Sequence, residues 1–195
     1  MKGEGWIPSE PPTAQAWDRF VENHPQGRFI HLTGFRMAVE AVYGLRPNYW
    51  LYQKDGEIEA VFPSFFHRSF LYGKRLVSQP FSEYGGILFL PTLDPGRRLS
   101  VLSEFPQVVE ESRLRASFDY LEIRCFPDLS ETESRLFRKI PLYSYGILAL
   151  NRELDLWNVV DYSVQKNIRR AQSHRLRLEI TETEQAVREI FYPLH

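Results

Sequence analysis

Two stretches of this 195-residue sequence gather side chains able to do chemistry. The first runs Leu76-Val77-Ser78-Gln79-Pro80-Phe81-Ser82-Glu83-Tyr84-Gly85-Gly86 and sets a hydroxyl, a carboxylate and a phenol beside paired glycines. Glycine lets a backbone approach a ligand closely and present unhindered N–H groups, which makes Ser78, Tyr84 and Gly85 candidate substrate-binding residues. A turn that only reverses the chain between strands reads equally well. The second stretch, Tyr162 to Leu178, holds Lys166, Arg169, Arg170, Arg175 and Arg177 and no acidic residue. At spacings of three and four, Lys166, Arg169 and Arg170 share one face of a helix, opposite an apolar stripe of Val164, Ile168 and Ala171 that should pack on a core. Guanidinium and ammonium groups so arranged suit phosphates, whether of a nucleotide-linked sugar or of RNA. A solvated basic face is the commoner fate of such a run.

Other catalytic signatures are absent. There is no Walker-type phosphate loop and no Gly-x-Ser-x-Gly elbow. His24, His31, His67, His174 and His195 show no metal-ligand spacing, and Cys125, the one cysteine, excludes an internal disulfide or a cysteine cage. No metal is expected, and no nucleophile-and-base pair can be named, so the catalytic residues stay unassigned. His31, at a helix start, reads as a cap or core neighbour. Glu122 and Arg124, on one strand face, read as an outward ion pair.

The elements that must position these groups follow from periodicity. Residues 1–12 read as a tail broken by glycine and proline. Ala14, Trp17, Phe20 and Val21 make a helical stripe, and a second helix from Thr33 to Tyr43 should bury Phe35, Val39 and Val42 before Gly44 closes it. Tyr49–Gln53, an Asp55-Gly56 turn and Ile58–Phe66 form a hairpin, with Pro63 marking a bulge or an edge. Further strands are expected at Leu71–Gln79, Ile87–Leu90, Asp119–Cys125, Leu136–Ile140, Tyr143–Leu150 and Leu176–Ile180. Helices are expected over 96–115, kinked or split at Pro106, around Val164–Ala171, and from Thr183 to Tyr192. The result is an α/β chain of the α+β type, a mixed and largely antiparallel sheet flanked by helices. Composition is that of a globular domain, 43% hydrophobic and 25% charged. A net charge of −1 leaves any anion binding to local clusters. With no signal-like start and no apolar run of about 20 residues, a cytoplasmic, soluble protein is expected.

Read in order, several segments resemble one family. They are His31-Leu-Thr-Gly-Phe-Arg36 running into Tyr43-Gly44 and Pro47-Asn-Tyr49, then Val61-Phe-Pro63, Leu76-Val-Ser-Gln-Pro-Phe81 with Tyr84-Gly-Gly86, Tyr120-Leu-Glu-Ile-Arg124 and Asn167-Ile-Arg-Arg-Ala171. The succession is similar to the FemAB-like transferases, whose fold is of the GNAT type, and covers their first half. The resemblance implies a GNAT-like domain over residues 13–182 and the start of a second half at 183–195. It implies an N-acyl- or aminoacyltransferase acting on an amine of a cell-wall or exopolysaccharide precursor, with this chain as the acceptor-binding half. Arg36, with Arg169 and Arg170, would hold a diphosphate of a nucleotide-linked or lipid-linked glycan precursor. No cofactor would be bound tightly; aminoacyl-tRNA or acyl-CoA would come as co-substrate. The loop that holds coenzyme A pyrophosphate in ordinary GNAT enzymes is missing. Two other readings stay open: a non-catalytic module that binds an anionic ligand or pairs with a second GNAT-like half or a second copy, and an RNA-binding domain built on residues 166–177.

Overall fold

The computed structural model describes residues 3–9, 14–71, 73–111, 118–125, 129–141, 155–174, 176, 180–181 and 183–194. The chain forms two compact units, Met1–Tyr143 and Ser144–His195, so the expected boundary at 182/183 falls inside the second.

The first unit is a mixed α/β structure. Its strands are β1 (Gly5–Pro8), β2 (Arg46–Pro47), β3 (Trp50–Lys54), β4 (Glu57–Phe62), β5 (Phe65–Ser69), β6 (Gly73–Val77), β7 (Leu88–Phe89) and β8 (Tyr120–Glu122). They make two four-stranded sheets, in the orders β1-β3-β4-β7 and β2-β5-β6-β8. Every pairing is antiparallel except β6 with β8, which is parallel. The helices are α1 (Ala14–Glu22), α2 (Thr33–Tyr43), α3 (Pro95–Glu111) and the short α4 (Glu131–Ser134).

The first sheet is buried on both faces, which strand alternation makes possible. Trp50 and Tyr52 of β3, with Ala60 and Phe62 of β4, pack against Val101, Leu102 and Phe105 of α3. Leu51 and Val61, one residue out of step, face Trp17 and Val21 of α1 and Val39 of α2. The hairpin turn follows its sequence: Asp55 and Gly56 both take positive φ, 51° and 93°. Pro63 does something other than bulge a strand. It ends β4, and the chain passes at Ser64 from one sheet into the other; the Ser64 hydroxyl donates to the Asn48 carbonyl to fix that crossing. The register shift falls instead between Tyr52 and Gln53 and leaves Glu59 of β4 as the extra residue. Its carboxylate takes two bonds from Arg97, which also meets Glu4 at 2.7 Å.

The tail expected over residues 1–12 holds a strand instead, since β1 pairs with β3 and buries Trp6, and three further expectations need correction. Val42 is 71% exposed, so α2 buries Val39 and half-buries Phe35 but does not extend the stripe. Leu136–Ile140 is turn and coil, not a strand, because the Ser130–Glu133 capping box starts a helix just before it. Strand β8 stops at Glu122, and residues 123–125 continue as coil. Pro106 lies inside α3 without splitting it. The expected strands 143–150 and 176–180 fall wholly or mostly outside the described residues.

In the second unit, α5 (Leu156–Val159) and α6 (Tyr162–Ser173) are followed by α7 (Glu184–Ala186), a π-helical turn at Val187–Phe191 and α8 (Tyr192–Leu194). Thr183 caps α7 through the Ala186 N–H. Among the described residues of either unit, no helix is long and apolar enough to cross a membrane.

Candidate functional site

The glycine-bearing stretch becomes a loop wound around one guanidinium. Strand β6 ends at Val77, and the Ser78 N–H donates to the Glu122 carbonyl at 2.9 Å, continuing the parallel ladder one step. The Arg124 N–H then donates to Ser78 Oγ at 2.8 Å, and the Gly85 N–H donates to the Arg124 carbonyl at 3.0 Å. Arg124 sends Nη1 to the carbonyls of Ser82 (2.6 Å), Pro80 (3.3 Å) and Gln79 (3.4 Å), while Nε donates to Glu122 at 2.7 Å. The pair read as outward-facing is therefore the peg on which the loop hangs. No local signal could have found this, since the carbonyls lie 42 to 45 residues upstream in the chain.

Ser78, Tyr84 and Gly85 are thus brought together as expected, but two of them are already engaged. Ser78 is buried and spends its hydroxyl on Arg124, and Gly85 gives its N–H to the same residue. The glycines serve close packing: a Cβ at Gly85 would lie 2.3 Å from Gln79 Cγ, and one at Gly86 would lie 3.0 Å from the Arg124 carbonyl oxygen. Tyr84 is half-buried, its N–H donating to Ser82 Oγ at 3.3 Å. Phe81 stacks on Tyr43 of α2 with ring centroids 4.1 Å apart, which ties the loop to that helix.

Behind this loop lies a cavity of about 380 Å³, walled by Gly86, His24, His31, Arg98, Cys125 and Glu133 among others. The two histidines are placed by local hydrogen bonds. His24 Nδ1 accepts from the Gln26 N–H, so its Nε2 carries the proton and donates to the Phe89 carbonyl at 2.8 Å. His31 Nδ1 accepts from the Arg28 N–H at 3.2 Å, which puts its proton on Nε2 as well. That Nε2–H is buried and has no partner among the described residues. Burial holds the His31 pKa down at about 4 and also lowers that of His24, so both rings are neutral near pH 7. Opposite in charge character, Arg98 of α3 reaches the buried Glu133 at 2.9 Å, an ion pair whose N–H is not aligned as a hydrogen bond. The cavity is thus lined by one neutral imidazole, whose spare N–H is buried, and by one partly exposed guanidinium. Such a pair suits a carbonyl or amide oxygen next to an anionic group. Sequence reasoning treated His31 as a cap or core neighbour, which it is, and had no way to see the spare nitrogen.

Arg36 does not stand free. Its Nη1 donates to the Ser9 carbonyl at 3.2 Å, and its guanidinium lies 5.3 Å from the centroid of the Tyr49 ring. Tyr49 is buried, which pushes its phenol well above the usual range, with the Gln79 side chain opposing the shift. Arg36 and the loop therefore share Tyr49 as a common neighbour.

In the second unit, Lys166, Arg169 and Arg170 follow one another on α6, all exposed. Arg169 lies over the Trp157 ring at 5.3 Å, and Gln165 braces α5 by donating to the Trp157 carbonyl at 2.8 Å. The stripe expected to face a core is not buried: Val164 and Ile168 are exposed. Arg175 and Arg177 lie outside the described residues. Among the described residues no group of three His, Cys, Asp or Glu side chains is placed to hold a metal.

No protein-family model matches the sequence, and no curated protein matches it. Some solved structures are similar in shape. An aminoglycoside antibiotic 6'-N-acetyltransferase from Acinetobacter baumannii shares 16% identity at a TM-score of 0.47, over 76% of this chain and 100% of its own. A transcriptional regulator from Bacillus halodurans shares 12% at 0.49, over 75% and 100%. A predicted acetyltransferase from Clostridium acetobutylicum, with acetyl-CoA, shares 13% at 0.45, over 76% and 96%.

Proposed function

We propose that this chain is the acceptor-binding half of an N-acyl- or aminoacyltransferase of the FemAB-like type, acting on an amine of a nucleotide-linked or lipid-linked glycan precursor. The observation that carries the reading is a cavity lined by Arg98, Gly86 and His31, whose Nε2–H has no partner among the described residues. A buried donor left unsatisfied costs the fold stability, and a ligand oxygen placed there would remove that cost. Arg98 would take a carboxylate or phosphate oxygen of the same acceptor. In the reaction the acceptor amine attacks the carbonyl carbon of an aminoacyl-tRNA or an acyl-CoA. The new C–N bond forms as the ester or thioester bond breaks, and the amine's proton leaves with the departing group. Such a transfer is driven largely by positioning and needs no protein nucleophile, which agrees with the lack of one in the sequence.

Calorimetric titration with a UDP-linked sugar peptide tests the proposal. The wild-type chain should bind, and Arg98→Ala and His31→Gln should each weaken binding by about tenfold, the worth of one charge-assisted or buried hydrogen bond. Arg169→Ala with Arg170→Ala tests the second basic face in the same way. No binding, or equal affinity throughout, would refute the reading.

A second reading, a module that pairs with another chain or a second copy, is favoured by the exposed Val159, Tyr162, Val164 and Ile168. Sedimentation velocity at rising concentration separates the two, since a monomer throughout argues against pairing with a second copy.

A further inference from the structure

The end of the β5–β6 hairpin carries a surface the fold does not use. Phe70 is fully exposed and Leu71 is 78% exposed, both in the turn between the paired residues Ser69 and Gly73. The turn is held in place. The Leu71 N–H donates to Ser69 Oγ at 3.3 Å, and Asp119 accepts the Lys74 N–H at 2.8 Å. Gly73, at φ 70°, lies so close to the Asp119 carboxylate that a Cβ would stand 2.6 Å from Oδ2.

Next to the tip, Arg68 faces Lys74 directly across the ladder. Like charges so placed destabilise a sheet. Arg46 on β2 lies over the Phe66 ring at 5.3 Å, and Phe66, two residues from Arg68, shares its face. Arg46, Phe66, His67, Arg68 and Lys74 line a shallow basin of about 260 Å³. On the opposite face Arg75 donates to His67 Nδ1 at 3.2 Å and pairs with Glu122 at 3.6 Å. Arg46, Arg68 and Lys74 form no ion pair among the described residues; Asp119 is the acid beside them, and it is engaged with the Lys74 backbone.

We propose that this hairpin docks on an anionic lipid surface, with Phe70 and Leu71 entering the boundary between headgroups and acyl chains and Arg46, Arg68 and Lys74 meeting the lipid phosphates. The two exposed apolar side chains Phe70 and Leu71 are far short of the roughly 800 Å² per partner that a stable protein interface buries. A fluid interface needs no matching pocket, and aromatic and aliphatic residues flanked by cations are what enter it. Each cation held near such a surface tightens partitioning by about fivefold. The inference stands on the hairpin alone and is independent of the acyltransfer reading.

Cosedimentation of the full chain with phosphatidylcholine vesicles, with and without phosphatidylglycerol, tests it. The wild type should bind the anionic vesicles selectively and be released by added salt. Arg68→Glu with Lys74→Glu should reduce binding by 25-fold or more, two cations' worth of attraction. Phe70→Ser with Leu71→Ser should also reduce it, while leaving the melting temperature unchanged because both side chains are exposed. In Phe70→Trp, fluorescence should be quenched by brominated lipid, which reports insertion directly. Failure to bind anionic vesicles, equal binding by the variants, or an unquenched tryptophan would each overturn the proposal. So would the finding that Phe70→Ser with Leu71→Ser abolishes self-association, or that the hairpin cations bind RNA and not vesicles.

Discussion

Gly85 stands against Gln79 at a separation that admits hydrogen and nothing larger, 2.3 Å from an added Cβ to Gln79 Cγ. Gly85 also has φ 136°, a conformation L side chains rarely adopt, and Gln79 cannot retreat. Its own φ is 48°, and its amide donates to the Ile30 carbonyl at 2.5 Å. Gly85→Ala should therefore lower stability by about 2–4 kcal/mol, combining strain and overpacking. Gly86→Ala, meeting its neighbours at 3.0 to 3.3 Å, should cost less. Urea unfolding midpoints measure both; a Gly85→Ala midpoint equal to wild type would contradict this account of the loop.

Arg124 should matter more to the loop than to the core. Replacing it with alanine removes three carbonyl contacts and the Glu122 pair, at a cost of about 2–3 kcal/mol. Hydrogen exchange at the Ser82 and Gly85 amides should accelerate well beyond that of β3 and β4. Lysine keeps the charge but not the planar fork, so Arg124→Lys should restore little protection. Uniform acceleration across the first unit would mean that Arg124 supports the whole unit and not this segment.

The hairpin turn and the end of α2 were legible because their determinants are adjacent residues. Asp55-Gly56 and Gly44 each state a positive φ in their own side chains, or lack of them. The helix α6 was legible from its spacing, although the burial of its apolar stripe was not, since a period says which residues share a face and not what covers it. The division into two sheets was hidden because Pro63 can end a strand or bulge one, and only the pairing partners decide. The site was the least legible part. Ser78, Tyr84 and Gly85 do meet, but the group that assembles them is Arg124, and His31 gains its spare proton only through the fold around Arg28.

Stability should fall with acid through His31. Its folded pKa of about 4 lies below its unfolded value of 6.5. Between those values the unfolded chain binds more protons, so the contribution is fully present above pH 6.5 and is lost as pH falls toward 4. The loss amounts to about 3 kcal/mol. His24, also lowered by burial, acts in the same direction. His31→Gln should flatten the difference in unfolding free energy between pH 7 and pH 5 relative to wild type; an unchanged slope would show that His31 does not titrate there.

Arg98 should protect Glu133. The carboxylate is buried, and Arg98 is its cation. Arg98→Met should cost about 2–3 kcal/mol, reduced from the figure for a fully buried pair because Arg98 is partly exposed. Adding Glu133→Gln should recover part of it, since Ser130 N–H still finds an acceptor in the amide. A double-mutant cycle in urea reads the coupling, and an additive result would mean the pair does not interact.

The parallel pairing of β6 with β8 sets an order of assembly. The first sheet is closed by strands lying within residues 5–89, so a chain emerging from the ribosome can complete it early. The second sheet waits for residues 120–122, and the bonds from Arg124 to the 79–82 carbonyls wait two residues longer. Until then the stretch from Ser78 to Gly86 has no peg to wind around. The cavity wall is thus among the last parts of the first unit to take shape, and a nascent chain stopped short of Arg124 would carry a finished β1-β3-β4-β7 sheet beside an unbuilt pocket.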